Sequence, residues 1–255
     1  MQDINQFRND PKSYHEDAAV CDAKAFSTVV QSRRSIRRFT PETIPDEVTE
    51  ACLDMALQAP NSSNLQAWEF HWVRTPALKQ KLVEGCLSQS AAATAAELIV
   101  CVSRTSTWRR NTKLVAEQMV KEGLPTKTTL AYYQKLVYLV YPTGPLSLLA
   151  PFKFLLFTAI GLFRPILRGP LTGKDRAIWA IKTTALACEN LMLAYRAHGF
   201  DTCPMEGFDE WRVRRLLKLP RDAEVVMVIG AGRRAHGGVY GPRLRLPRKL
   251  FVFEH

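Results

Sequence analysis

Between positions 59 and 70 the chain reads Ala59-Pro60-Asn61-Ser62-Ser63-Asn64-Leu65-Gln66-Ala67-Trp68-Glu69-Phe70. Amide and hydroxyl side chains crowd into Asn61–Gln66, and such groups both donate and accept hydrogen bonds. They suit the edge of a heteroaromatic ring or a set of sugar hydroxyls. Taken alone, the same residues also make a capping and turn loop. The flanks say what the loop joins. Pro45 to Ala59 carries a helical pattern, with Pro45 in the first turn and Asp46 and Glu47 at the positive end of the helix. Its apolar stripe is Val48, Ala51, Cys52 and Met55. Ala67 to Arg74 (AWEFHWVR) is aromatic and β-branched, which predicts a strand.

Farther out, a helix is expected over Ala23–Arg33 with Phe26, Val29 and Val30 on one face. Leu98–Val102 (LIVCV) reads as a strand covered on both faces. Asp175–His198 is the longest helical pattern and ends at Gly199, a natural C′ residue. Its apolar positions, Ile178, Ile181, Ala185, Cys188, Leu191, Met192 and Tyr195, predict a central buried helix. Trp211–Leu219 predicts a short helix, Glu224–Ile229 a buried strand, and Leu250–Phe253 a strand-like tail. The sum is an α/β or α+β domain with few strands and many helices. Gly230-Ala231-Gly232-Arg233-Arg234-Ala235 matches G-x-G-x-x-A. The helix, second strand and distant acidic residue of a dinucleotide site do not follow it, so these glycines read as a loop leaving a strand.

With 255 residues, 47% hydrophobic and 23% charged, the chain is neither disordered, collagen-like nor a disulfide-stapled mini-protein. The net charge of +11 points to an anionic partner: nucleic acid, an acidic membrane surface or a small anionic ligand. The six cysteines show no C-x-x-C spacing and read as buried reduced thiols of a cytoplasmic protein. The five histidines show no metal-ligand spacing, so no metal is expected. Met1–Asp22 is a polar arm without the apolar core of a secretory signal. Leu136–Leu167 is strongly apolar, yet Pro142, Pro145 and Pro151 interrupt it. Its unbroken part, Phe154–Phe163, is too short to span a bilayer. It reads as an inserted helical hairpin that packs on a partner subunit or covers a pocket. The alternative is an interfacial segment with Lys135, Lys153, Arg164, Arg168 and Lys174 facing lipid head groups, which would make the protein peripheral to a membrane.

A second informative cluster is Arg33-Arg34-Ser35-Ile36-Arg37-Arg38-Phe39. Arginine forks match phosphate geometry, and a serine adds a neutral donor. An isolated run of this kind is otherwise a solvated basic turn. Together with 59–70, it resembles the R-x-S-x-R/K-x-F and A-P-S-S-x-N-x-Q-P-W motifs of the nitroreductase family of flavoenzymes. Pro204-Met205-Glu206-Gly207-Phe208 is similar to that family's P-I/M-E-G-F stretch. Arg243-Leu244-Arg245-Leu246-Pro247 is similar to its basic segment before the last strand. Asn61 stands where serine is usual and Ala67 where proline is usual.

The resemblance implies an α+β fold, a mostly antiparallel sheet flanked by helices, in a homodimer that exchanges C-terminal arms and binds FMN at its interface. Residues 23–255 would form the FMN-binding domain, with an apolar helical insert at about 106–174. By position, Arg33, Arg34 and Ser35, helped by Arg243 and Arg245, would hold the FMN phosphate and ribityl chain. Arg37 would approach the pyrimidine edge. Pro60, Asn61, Ser62 and Asn64 would come from the other subunit. After Met205, the backbone amides of Glu206 and Gly207 would approach N5. A further ring contact is expected in the region of Ser88–Ser90. The cofactor carries the hydride, so no catalytic triad or paired carboxylates are needed. The implied activity is ping-pong transfer of two electrons from NADH or NADPH to a nitroaromatic, quinone or activated alkene, with the apolar insert favouring a small hydrophobic acceptor. Two other readings compete. One is a membrane-associated flavoprotein fed by a protein partner. The other is a basic anion- or nucleic-acid-binding module, drawn from Arg212, Arg214 and Arg215, although no recognised nucleic-acid motif accompanies them.

Overall fold

The computed structural model describes residues 17–123, 127–144 and 147–255. Most of the polar arm expected at 1–22, and Pro145, lie outside them. Asp22 opens α1 (Ala23–Ser32), its carboxylate accepting from the amides of Lys24 and Ala25 at 2.8 and 3.1 Å. None of α1 is buried, and Phe26 is 61% exposed. The expected apolar face is therefore left largely open among the described residues, with Val29 half-buried. After α2 (Asp46–Leu57), the polar loop leads into β1 (Trp68–Trp72). Next come α3 (Pro76–Gly85), α4 (Ser90–Ala93) and β2 (Glu97–Arg104). A helical stretch follows: α5 (Trp108–Lys121), α6 (Lys127–Ala131), a π-helical turn at Tyr132–Leu136, α7 (Val137–Val140) and α8 (Ala150–Gly161). The chain closes with α9 (Gly173–Ala197), β3 (Asp201–Met205), α10 (Glu210–Leu216) and β4 (Ala223–Gly232).

The four strands form one antiparallel sheet in the order β1-β2-β4-β3. Alternation along β2 sorts its side chains between two cores. Leu98, Val100 and Val102 face Leu82, Met205 and Val228, while Ile99 and Cys101 face Cys52, Cys188, Leu191 and Tyr195. The second core is the seat of α9, whose start is fixed by a capping box of Thr172 and Asp175. Tyr195 on α9 donates to Thr49 of α2 at 3.1 Å. The central buried helix is thus present, but Ile178 at 55% and Leu186 at 50% exposure leave one of its faces bare.

Four expectations need correction. Gly230 and Gly232 do not form a loop; they lie in β4, paired with Leu98 and Asp201. A Cβ on Gly230 would fall 2.8 Å from the Ala91 carbonyl, and one on Gly232 2.9 Å from the Phe39 ring. Close approach of α4 and Phe39 to the sheet is what requires glycine there. The tail is no strand: a 3₁₀ turn occupies Arg248–Leu250, and the residues around it are exposed, without a partner strand among the described residues. Lys153 does not face outward. It is buried, and its ammonium donates to the carbonyls of Val140, Pro142 and Pro170 at 2.7, 3.0 and 3.1 Å. Burial, then the nearby Arg176, pushes its pKa down. It ties α8 to the end of α7 and the approach to α9. Cys21 is also exposed, the other five thiols being buried.

Candidate functional site

Arg33 ends α1 in an extended conformation, and the chain then runs along the free edge of β3. Ser35 bridges to Thr202, the Ile36 amide donates to the Thr202 carbonyl at 3.0 Å, and the Arg37 amide donates to Gly238 at 2.7 Å. This brings the first basic cluster against the segment that follows β4. A cleft of about 310 Å³ results, lined by Arg33, Arg34, Ser35 and Arg37 on one side and by Tyr240–Arg245 on the other. Arg34 donates to the Gly241 carbonyl at 2.6 Å, and Arg243 donates to the carbonyls of Gln31, at 2.7 Å, and Arg33. Arg243 therefore also satisfies carbonyls left open at the end of α1.

Charge in this cleft is poorly compensated. Among the described residues, one carboxylate pairs with these five arginines: Glu189, 3.3 Å from Arg33. Partial desolvation, and then the like charges of Arg245, Arg34 and Arg33, push the Arg243 pKa down. Arg37 Nη1 lies 3.3 Å from Cys203 Sγ on β3. Burial raises that thiol, and Arg37 opposes the rise.

β3 carries the site onward to the turn before α10. Met205 is 2% exposed and packed in the core, so only its backbone is free to meet a ligand. Glu206 and Gly207 are exposed. The Gly207 carbonyl accepts from Gln89 Nε2 at 2.5 Å, and Gln89 also donates to the Cys86 carbonyl at 3.1 Å. Leu87 and Ser88, both left-handed at φ 57° and 52°, make the turn that aims Gln89 there. Gln89 is thus the side chain that the region Ser88–Ser90 presents. The expectation from sequence is a ring contact in this region; the contact found there is that of Gln89 with the Gly207 carbonyl.

Pro60, Asn61, Ser62 and Asn64 do not line the arginine cleft of the same chain. Their loop is tightly constrained. Asn61 Oδ1 accepts from the Gln66 amide at 2.8 Å, and Ser63, Asn64 and Gln66 all have positive φ, 57°, 49° and 45°. Such strain persists where surroundings over-determine it. Here Ser62 Oγ lies 3.2 Å from the Tyr141 hydroxyl, and Ser63 Oγ lies 2.5 Å from Tyr132 and 3.3 Å from Tyr141. Buried Asn111 on α5 donates to the carbonyls of Leu65 and Gln66 at 2.7 and 3.2 Å. Sequence reading missed Asn111; its signal was a polar residue beside Trp108 and Thr112 on the helix face that packs inward. A cleft of about 610 Å³ opens between this loop and α5, with Asn64, Gln66, Trp68 and Arg110 on its walls.

The α10 arginines form no free basic face. Arg212 pairs with Asp209 at 2.9 Å, Arg214 with Glu210 at 3.5 Å, and Arg215 lies over the Trp211 ring at 4.8 Å.

Comparison with known proteins covers the 610 Å³ cleft and the Arg33–Arg37 side of the arginine cleft. The "Nitroreductase family" model matches residues 30–233, from the first arginine cluster to the end of β4. Protein DrgA of Synechocystis sp. is 28% identical over 223 residues, 87% of this chain and 90% of that protein. A protein named NADH dehydrogenase from Thermus thermophilus is 28% identical over 229 residues, 90% of this chain and 95% of its own. The crystal structure of a putative nitroreductase in complex with FMN from Exiguobacterium sibiricum superposes with a TM-score of 0.69 at 21% identity, covering 93% of this chain and 99% of that one. The fold is shared, and the matched residues include α2 to α10, the polar loop and all four strands: this chain belongs to the nitroreductase family.

Proposed function

We propose that the chain is an FMN-dependent oxidoreductase that passes two electrons from NADH or NADPH, by a ping-pong scheme, to a nitroaromatic, quinone or activated alkene. The observation that carries this reading is the arginine cleft. Guanidinia and a serine hydroxyl converge there against a single paired carboxylate among the described residues, and Arg243 is crowded by like charge. A phosphate dianion fits that donor set and would relieve the crowding. Family membership supports the cofactor and donor classes, as do the name of the Thermus relative and the FMN of the Exiguobacterium structure.

When bound, FMN supplies the hydride and electron chemistry. Arg33, Arg34, Ser35, Arg243 and Arg245 would hold its phosphate and ribityl chain. Arg37 would keep a positive charge at the pyrimidine edge, where it stabilises negative charge. Gln89 fixes the Gly207 carbonyl and so orients the Glu206–Gly207 backbone, whose amides would face N5. Pro60, Asn61, Ser62 and Asn64 would be contributed by a second copy of the chain, making the site a dimer property. Residues 23–255 would act as one flavin-binding domain with 106–174 inserted. Unpaired thiols suit the reducing cytoplasm. The test is a visible absorption spectrum of the purified protein before and after NADPH or NADH without oxygen. A flavin spectrum that bleaches and then recovers on adding a quinone is expected. A colourless protein that takes up no added FMN would overturn the reading.

A further inference from the structure

Between Glu122 and Asp175 the sequence contains no aspartate or glutamate, and it contains six basic residues, Lys127, Lys135, Lys153, Arg164, Arg168 and Lys174. Lys153 is consumed internally, and the other five are exposed. The same stretch holds the most exposed apolar side chains of the helical segment. Only Lys153 and Phe157 of α8 are buried. Phe152, Phe154 and Leu155 are 67%, 61% and 69% exposed, and just beyond the helix Leu162 and Phe163 are 77% and 88% exposed. Single exposed apolar residues are ordinary, but a contiguous run of them is a contact surface.

We infer that α8 and the residues after it dock on the surface of an anionic lipid bilayer. Charge decides the occupant. Two copies of a segment carrying only positive charge would repel when apposed, whereas an anionic surface attracts it. Length decides the mode. Twelve residues make a helix of about 18 Å, short of the roughly 30 Å of a hydrocarbon core, and no helix among the described residues is long and apolar enough to cross. α8 therefore lies in the interface, with Phe154, Leu155 and Phe163 at the acyl boundary and Arg164 and Arg168 at the phosphates.

The docking surface is joined to the polar loop. Lys153 ties α8 to the Val140 and Pro142 carbonyls, on either side of Tyr141, and Tyr141 meets Ser62 and Ser63. Resting on the flavin reading above, this connection makes a lipid-dissolved quinone the acceptor class that docking serves. NAD(P)H and one proton would convert the quinone to the quinol and release NAD(P)⁺.

The test is co-sedimentation of the full chain with phosphatidylcholine vesicles, with and without phosphatidylglycerol. Binding is expected with phosphatidylglycerol, falling as salt rises. Phe154→Ser/Leu155→Ser and Arg164→Glu/Arg168→Glu should each weaken partitioning at least about tenfold while leaving reduction of a water-soluble quinone unchanged. No binding at low salt, or equal binding by parent and both variants, would overturn the proposal. So would loss of a dimer in Phe154→Ser/Leu155→Ser without lipid, which would make this face a contact between copies. Sedimentation reads docking independently of flavin. A chain that docks yet takes up no FMN would support docking and remove only the flavin reading.

Discussion

Arg34 and Arg37 share one cleft, and under the proposed function they would do different work, so their substitutions should separate. Arg34 reaches the Gly241 carbonyl and borders the space assigned to phosphate. A charge-assisted hydrogen bond contributes about 1.5–3 kcal/mol, so Arg34→Ala should weaken FMN binding about ten- to hundred-fold. Titration by flavin fluorescence would show it, and an unchanged affinity would remove Arg34 from the phosphate set. Arg37 lies against Cys203 on β3. Arg37→Ala should retain flavin while moving its two-electron potential about 20–40 mV more negative, the equivalent of about 1–2 kcal/mol. Equal potentials in variant and parent would argue against a role at the ring. These arginines were legible in the sequence only through their resemblance to a family motif, since an isolated run of guanidinia otherwise reads as a solvated basic turn. Gln89 was not, since its value comes from a left-handed turn that delivers it to a residue 118 positions away.

Elements were legible where periodicity spoke for itself. Leu98–Val102 lies within β2, and Asp175–His198 became α9 after a slightly earlier start. The glycines of β4 were misread because the crowding that requires them comes from Ala91 and Phe39, remote in sequence. Also hidden was the anchor that sets the start of α5. Asp222 accepts from Arg104 Nε at 3.1 Å, from the Ser106 amide at 3.1 Å and from the Ser106 hydroxyl at 2.6 Å. Burial works to raise its pKa, but Arg104 and Ser106 hold it down to about 2. A carboxylate whose folded pKa lies below its unfolded value of about 3.9 adds stability above the unfolded pKa. That stability is lost as pH falls through the folded one. After allowance for solvent screening it is on the order of 1 kcal/mol. Asp222→Asn should therefore lower the urea midpoint at pH 7 and flatten its decline between about pH 4 and pH 2. A parallel decline in parent and variant would show that Asp222 does not anchor the segment.

At the scale of the whole molecule, the proposed site would need a second copy of the chain, and one chain leaves apolar faces open. The Pro60–Asn64 loop lies outside the arginine cleft. Phe26 and Val30 on α1, Ile178 and Leu186 on α9, and Phe251 and Phe253 in the tail are all exposed. Unlike the stretch around α8, these faces lie near charges of both signs, Asp22 at the head of α1 and Glu189 beside Arg33 among them. A second copy of the chain therefore meets less repulsion there. Stable interfaces bury upward of about 1,000 Å², and helices with an exchanged tail would supply that area. Sedimentation equilibrium should then give a species of two chains of 28.8 kDa each. Because the site would be shared, FMN binding and dimerisation should be linked, so excess FMN should oppose dissociation on dilution. Removing residues 248–255 should weaken the dimer and the flavin affinity together, with the sheet and its two cores still folded by circular dichroism. A truncated chain that becomes monomeric but holds FMN as tightly as before would place the whole flavin site within one subunit and remove the polar loop of the second copy from it.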